Sequence, residues 1–208
     1  MPLFKTIKID KNTTVFVWKI TETTDELRAT YLSKNSINRV NLMKSSSHQK
    51  GFLSIRHLLQ LIRLNDDDLT YNEHGKPLLK NGQHISISHS YEFSAIGIST
   101  KMIGIDIEKN RDKIKIIKNR FTDFNKKKLT NDEYIQQLTL IWGAKEAMFK
   151  IHPSGGMSFK NDLKISQFNT RKAKGLINTP ELKEKCDICF HQIENYSLAI
   201  ASIDHELS

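Results

Sequence analysis

The segment Met102-Ile103-Gly104-Ile105-Asp106-Ile107-Glu108 constrains this chain more than any other. Isoleucine holds the odd positions, while glycine and two acids hold the even ones. Alternation with a period of two marks a strand with one apolar face and one open face. On such a strand Asp106 and Glu108 point the same way. Two adjacent carboxylates repel, and each then favours its protonated form. A divalent cation removes that conflict, and hard oxygen ligands suit magnesium. Gly104 takes a side chain off the same face and leaves room for a ligand. The segment also reads as a plain strand carrying two solvated acids.

The chain has 208 residues, enough for one domain or two small ones with a real core. No run of about 18 apolar residues is present, so no membrane-spanning helix is expected. The first residues, Met-Pro-Leu-Phe-Lys-Thr-Ile-Lys, alternate charged and apolar groups without the apolar stretch of a signal peptide. The reading is cytoplasmic. Lysine and arginine exceed aspartate and glutamate by 32 to 23, a net charge of +9. Such an excess favours anionic partners: nucleic acid, phosphorylated metabolites or an acidic protein. Much of it is local, with nine basic residues and only Asp112 and Asp123 as acids between Lys109 and Lys128. A charge run of this kind is also consistent with a solvated face. Cys186 and Cys189 have only His191 nearby, and their apolar neighbours suggest a strand rather than a zinc or redox site.

Residues 3–9 and 13–20 alternate and predict two strands. Thr23 to Glu26 has capping-box spacing and opens a short helix to about Leu32. Phe52, Ile55, Leu59 and Ile62 recur at helical spacing and predict an amphipathic helix over 46–63. Asn65 and three aspartates end it. A turn-forming stretch, Tyr71 to Pro77, leads into Leu78-Leu79. Strands are predicted over 84–90, 93–99 and 102–108. Thr130 to Glu133 again has capping-box spacing, with a long helix to about Ile151, stopped by Pro153-Ser154-Gly155-Gly156. Short strands around a loop at 169–180 complete the chain. The fold class is α+β.

Three further segments carry candidate chemistry. In Trp142-Gly143-Ala144-Lys145-Glu146-Ala147-Met148-Phe149-Lys150, helical spacing puts Trp142, Glu146 and Lys150 on one stripe. Glu146 could complete a carboxylate trio with Asp106 and Glu108, or form a surface pair with Lys150; Lys145 offers another cation on a neighbouring face. In Ile85-Ser86-Ile87-Ser88-His89-Ser90, His89 breaks the apolar parity and could pair with phosphate or serve structure. In Gly75-Lys76-Pro77, a stiff turn holds a lysine that suits a phosphate clamp, though taken alone the stretch reads first as a plain solvated lysine. No Walker loop, Gly-x-Ser-x-Gly elbow or His-Glu-x-x-His motif is present.

In order, Gly75-Lys76-Pro77, Ser88-His89-Ser90, Gly104-Ile105-Asp106-Ile107-Glu108 and Trp142-x-x-Lys145-Glu146-Ala147-x-x-Lys150 resemble the 4′-phosphopantetheinyl transferases. The nearer resemblance is to the surfactin-type group, whose single chain holds two related halves. Gly51-Phe52-Leu53-Ser54-Ile55-Arg56 fits the N-terminal half of that group. The resemblance implies two similar α/β halves related by a pseudo-two-fold: residues 1–100 for coenzyme A, and 101–208 for metal binding and catalysis. It implies magnesium-dependent transfer (manganese being an alternative) of the phosphopantetheine arm of coenzyme A to a serine of an acidic acyl or peptidyl carrier protein, releasing adenosine 3′,5′-bisphosphate. Such carriers serve fatty-acid or secondary-metabolite synthesis.

By position, Asp106, Glu108 and Glu146 match the metal-binding acids. Glu146 also matches the proposed general base, and Lys150 the lysine on the phosphate. Lys76, Ser88 and His89 match coenzyme A contacts. For the 3′-phosphate the N-terminal half offers Lys34, Arg39, Lys44 and Lys50, and spacing does not choose among them. The strand before His89 departs from the Phe-Asn-x-Ser-His-Ser of many relatives. The group implies a monomer, with no membrane and no nucleic acid as partner. A basic nucleic-acid-binding module is the alternative; it gives no role to the acid strand or to the Trp-Lys-Glu helix.

Overall fold

Leu3–Lys8 (β1) and Thr13–Lys19 (β2) pair antiparallel, with Ile7 opposite Val15. These strands open a computed structural model that describes residues 3–126, 128–152, 154 and 156–203. The chain divides into two compact units, Met1–Thr100 and Lys101–Ser208.

The first unit builds on the alternating segments. After α1 (Thr24–Arg28), α2 (Lys34–Leu42) and α3 (Ser46–Leu61) come a small hairpin of β3 (Leu69–Tyr71) and β4 (Pro77–Leu79), then β5 (His84–Ser90) and β6 (Phe93–Ser99). The four-stranded antiparallel sheet runs β1-β2-β6-β5. Helix α3 puts Ile55, Leu58 and Leu59 against Trp18, Ile85 and Ile96 of that sheet. Burying each such side chain contributes about 1.5–3 kcal/mol. The capping box at Thr23 is present, but α1 stops at Arg28, short of Leu32. Helix α2 was not legible in the sequence. It is polar, buries only Ser36 and Val40, and shows no continuous apolar stripe.

A buried ion pair ties this unit together. Arg56 Nε on α3 donates to Asp66 Oδ1 at 2.9 Å, and Arg56 Nη2 donates to Ser36 Oγ on α2. Asp66 also accepts from the Ser33 amide and hydroxyl at the N-cap of α2. The aspartates that end α3 therefore supply the anchor for α2.

The second unit contains β7 (Ile103–Lys109), α4 (Ile114–Ile117), α5 (Asn131–Ile151), β8 (Leu163–Ser166), β9 (Lys172–Asn178), β10 (Lys183–Ile193) and β11 (Tyr196–Ser202). Its antiparallel sheet runs β7-β11-β10-β9-β8. The capping box at Thr130 starts α5 as its spacing predicts, and the helix ends at Ile151. Pro153 and Gly155, assigned to stop it, lie outside the described residues. The segment read as a loop at 169–180 is largely strand β9, whose Ala173 and Ile177 face the core between exposed lysine and asparagine positions. Glycine and lysine in that stretch hid the alternation.

The basic segment 109–128 is anchored by its apolar minority. Ile114, Ile117, Phe121 and Phe124 pack beside Tyr134, Leu138 and Ile141 of α5. Cys186 and Cys189 lie on β10 three residues apart, so their side chains leave opposite faces of the strand. Among the described residues, no helix is long and apolar enough to cross a membrane.

Candidate active site

The even face of β7 is not open. Helix α5 lies directly on it, and β7 is buried from Ile103 to Ile107. A Cβ on Gly104 would fall 1.8 Å from the carbonyl oxygen of Ala147. The room that glycine creates is therefore filled by the helix backbone rather than left for a ligand. The floor beside it is also small: Ala201 and Ala199 of β11 stand opposite Gly104 and Asp106. Two residues farther along β7, Asp106 meets α5 at Gly143, whose Cβ position lies 3.6 Å from Asp106 Oδ2. Two strand residues advance about 6.7 Å and four helix residues about 6 Å, so strand and helix stay in step. Gly104 fits under Ala147 while Asp106 fits under Gly143.

That seam brings three of the expected residues together. Lys150 Nζ donates to Asp106 Oδ1 at 2.8 Å and to the Ile105 carbonyl at 2.8 Å. Asp106 is only 5% exposed. Glu146 sits one helical turn before Lys150, half-buried. Burial pushes its carboxyl up to about 7, and the charge of Asp106 adds to the shift. Lys150 offsets part of this, while Glu108 raises it slightly further. Asp106, Lys150 and Glu108 thus all act on the Glu146 carboxyl. Trp142 seats the helix by packing against Phe121 and Phe159, with ring centroids 5.2 and 5.1 Å away.

Lys145, expected as another cation on a neighbouring face, points into the protein. It is buried, donates to the Phe159 carbonyl at 2.5 Å, and lines a cavity of about 360 Å³ with Phe121, Phe124, Ile141 and Phe168. Burial, helped by Lys164, lowers its ammonium to about 8.

Lys76, Ser88 and His89 belong to the first unit. Gly75 adopts φ +78°, which glycine tolerates. Asn72 closes the turn by accepting from the Lys76 amide at 2.8 Å. Lys76 is half-buried, and burial pulls its ammonium below the usual range. Ser88 is buried on β5. His89, at the exposed end of the same strand, lies against α3, where a Cβ on Gly51 would come 2.9 Å from its ring. The His48 ring stands 6.1 Å from it, centroid to centroid.

Residues 102–201, which carry β7, α5 and this seam, match the family model described as the 4′-phosphopantetheinyl transferase superfamily. A curated relative, "4′-phosphopantetheinyl transferase gsp" of Aneurinibacillus migulanus, is 29% identical over 182 residues, covering 78% of this chain and 76% of the relative. The chain is similar to the 4′-phosphopantetheinyl transferase superfamily over residues 102–201. Both comparisons point to an enzyme of the transferase class.

In this transferase the acids suit a divalent cation in kind. All three are hard oxygen donors, and a cation would relieve the part of the Glu146 shift, after burial, that comes from Asp106 and Glu108. Their spacing is another matter. Among the described residues, no group of three or more His, Cys, Asp or Glu side chains is gathered closely enough to hold a metal ion. Asp106 faces the Lys150 ammonium instead. Sequence reading of the transferase also missed Gly143, Gly51 and His48. The Gly143–Ala147 pair at helical spacing is the signal that marks the close-packed stripe; nothing local pairs His48 with His89.

Proposed function

We propose that this enzyme moves the 4′-phosphopantetheine arm of coenzyme A onto a serine of an acidic acyl or peptidyl carrier protein, releasing adenosine 3′,5′-bisphosphate. The observation that carries this reading is the convergence of Asp106, Glu146 and Lys150 on one strand–helix seam. Phosphoryl transfer asks a protein mainly to position groups and stabilise charge. By position Asp106, Glu108 and Glu146 would be the donors to magnesium, or manganese, although in the structure they are not gathered into a metal site. When bound, the cation would neutralise pyrophosphate oxygens as the bond to the leaving group breaks.

Glu146 is the general base. In the metal-free protein a carboxyl raised to about 7 is a stronger base than an ordinary glutamate and is still partly ionised near neutral pH. It takes the serine proton as the serine oxygen bonds to phosphorus and the bond to the departing phosphate opens. Lys150 holds a phosphate oxygen through that change. Lys76, Ser88 and His89 bind coenzyme A in the first unit. The half-buried Lys76 supports this role, because a partly desolvated ammonium binds phosphate more strongly than a fully hydrated one. The basic segment 109–128, with its apolar side seated on α5, presents its charge outward and steers the acidic carrier. The enzyme works as a cytoplasmic monomer.

Purified protein, magnesium and coenzyme A should add the phosphopantetheine mass to an apo carrier in intact-mass spectrometry. No gain across several acyl and peptidyl carriers defeats the reading. Titrating coenzyme A and an oligonucleotide in parallel separates it from nucleic-acid binding, which would be strong and salt-sensitive without magnesium.

A further inference from the structure

Lys145 is a buried cation for which the transfer chemistry above has no task. It is 5% exposed, and among the described residues its ammonium donates to one acceptor, the Phe159 carbonyl. An ammonium has three donors, so two are left for other acceptors. Among the described residues no carboxylate lies at ion-pairing distance from it. Asp123 favours its charged form only as a lesser influence behind burial and Lys164. The Asp123 carboxylate is itself engaged, accepting from Lys160 at 2.7 Å. A buried charge without a counter-ion is unfavourable, and an anion brought beside it relieves that cost.

The surroundings specify what else such an anion must carry. Ile141 and Lys145 stand four residues apart on one stripe of α5. Phe124 comes from the end of the basic segment, Ile165 from β8 and Phe168 from just beyond it. With Ile141 they form an apolar wall of the cavity of about 360 Å³. Small-molecule sites span roughly 300–1,000 Å³ and combine apolar walls with a few polar groups. β8 is the edge strand of its sheet, and Phe124, Ile165 and Phe168 are half-buried, so the apolar wall reaches solvent on that side. Lys160 and Lys164 add two cations to the lining, against one acid, Asp123.

We infer that this cavity binds a small amphipathic carboxylate, its aryl or acyl body against Phe124, Ile165 and Phe168 and its anionic head on the Lys145 ammonium. A neutral molecule of the same shape leaves that ammonium without a counter-ion. A wholly polar anion such as inorganic phosphate leaves the apolar wall in water. Both parts of the ligand are therefore required. Every lining residue belongs to the second unit, so the site needs neither coenzyme A nor a carrier protein.

The test uses the full chain without metal, coenzyme A or carrier, so its outcome stands apart from the transferase chemistry. Phenylbutyrate and its neutral counterpart, phenylbutyramide, are titrated into isotope-labelled protein and followed by backbone amide chemical shifts. The carboxylate should bind at least about tenfold more tightly than the amide, the scale of one charge-assisted hydrogen bond. The shifts should centre on Phe124, Ile165 and Phe168. Lys145→Met keeps the length of the side chain and removes the charge, a replacement that buried sites tolerate. It should lower the affinity for the carboxylate to that for the amide. Lys174→Met, at an exposed position on β9 outside the cavity, should leave the preference intact. Equal binding of carboxylate and amide by the wild type overturns the inference, and that comparison needs no variant to fold. An unchanged preference in Lys145→Met, or shifts centred elsewhere, overturns it as well. Displacement of phenylbutyrate by an equal concentration of inorganic phosphate would do the same, because the lysines would then bind without the apolar wall.

Discussion

A Cβ placed on Gly104 would sit 1.8 Å from the carbonyl oxygen of Ala147, and 2.7 Å from the carbon of that carbonyl. The obstruction is helix backbone, so no side-chain rotation relieves it. Gly104→Ala should push α5 off β7 and cost about 3 kcal/mol or more of stability. Gly143→Ala, on the facing helix, would meet Ala199 Cβ at 3.4 Å, Asp106 Oδ2 at 3.6 Å and the Asp106 carbonyl oxygen at 3.9 Å, all ordinary contacts. It should be neutral or stabilising by up to ~1 kcal/mol through helix propensity. Denaturant unfolding of the two variants measures the difference. Equal stabilities would mean that the close approach of β7 and α5 is not as described.

Glu146 predicts a pH dependence of the metal-free protein. Its folded carboxyl is raised to about 7, above the unfolded value near 4.5. Below about pH 4.5 both states are protonated, and the group contributes nothing. As pH rises toward 7 the folded state holds its proton longer, so ionisation progressively destabilises the fold, by up to about 3 kcal/mol at pH 8. Glu146→Gln should flatten that fall in melting temperature between pH 5 and pH 8. It should also reduce transfer at least about a hundredfold, as loss of a general base does. A variant with the wild-type pH profile and turnover would remove Glu146 from the chemistry.

Arg56 predicts a purely structural loss. It is 3% exposed and paired with Asp66, itself 4% exposed. Arg56→Leu strips a buried carboxylate of its guanidinium and should cost about 3–5 kcal/mol. Adding Asp66→Asn removes the charge left behind and should recover part of that loss. A double variant less stable than Arg56→Leu alone would show that the Asp66 charge is satisfied without the arginine.

His89 and Gly51 predict a linked pair of binding defects. His89→Ala should weaken coenzyme A binding about tenfold, the value of one charge-assisted hydrogen bond. Gly51→Ala forces the His89 ring from its place and should weaken binding in the same direction with His89 still present. Titration of coenzyme A into the two proteins reads both effects. Full affinity in Gly51→Ala would mean the ring position does not matter to binding.

Much of the site was legible because its signals are local. The alternation around Asp106, the capping box at Thr130 and the stripe of Trp142, Glu146 and Lys150 depend on neighbours two to four residues apart. The fold was legible for the same reason where alternation was regular, and less so where it was not. Strand β9 looked like a loop because Gly175 and three polar residues interrupt it, although Gly175 is where Met148 packs. Helix α2 gave no stripe because its anchor is Asp66, 33 residues beyond its N-cap, rather than an apolar face of its own.

By itself the sequence determined which residues carry charge and which way each strand and helix points its side chains. Only the tertiary structure decided that a helix, not a ligand, covers Gly104, that Lys145 is buried, and that the ammonium of Lys150 rests on Asp106. Periodicity is written into a few adjacent residues. Which two faces meet depends instead on how closely a helix can approach a strand, and here that distance is set by the absence of a side chain at Gly104.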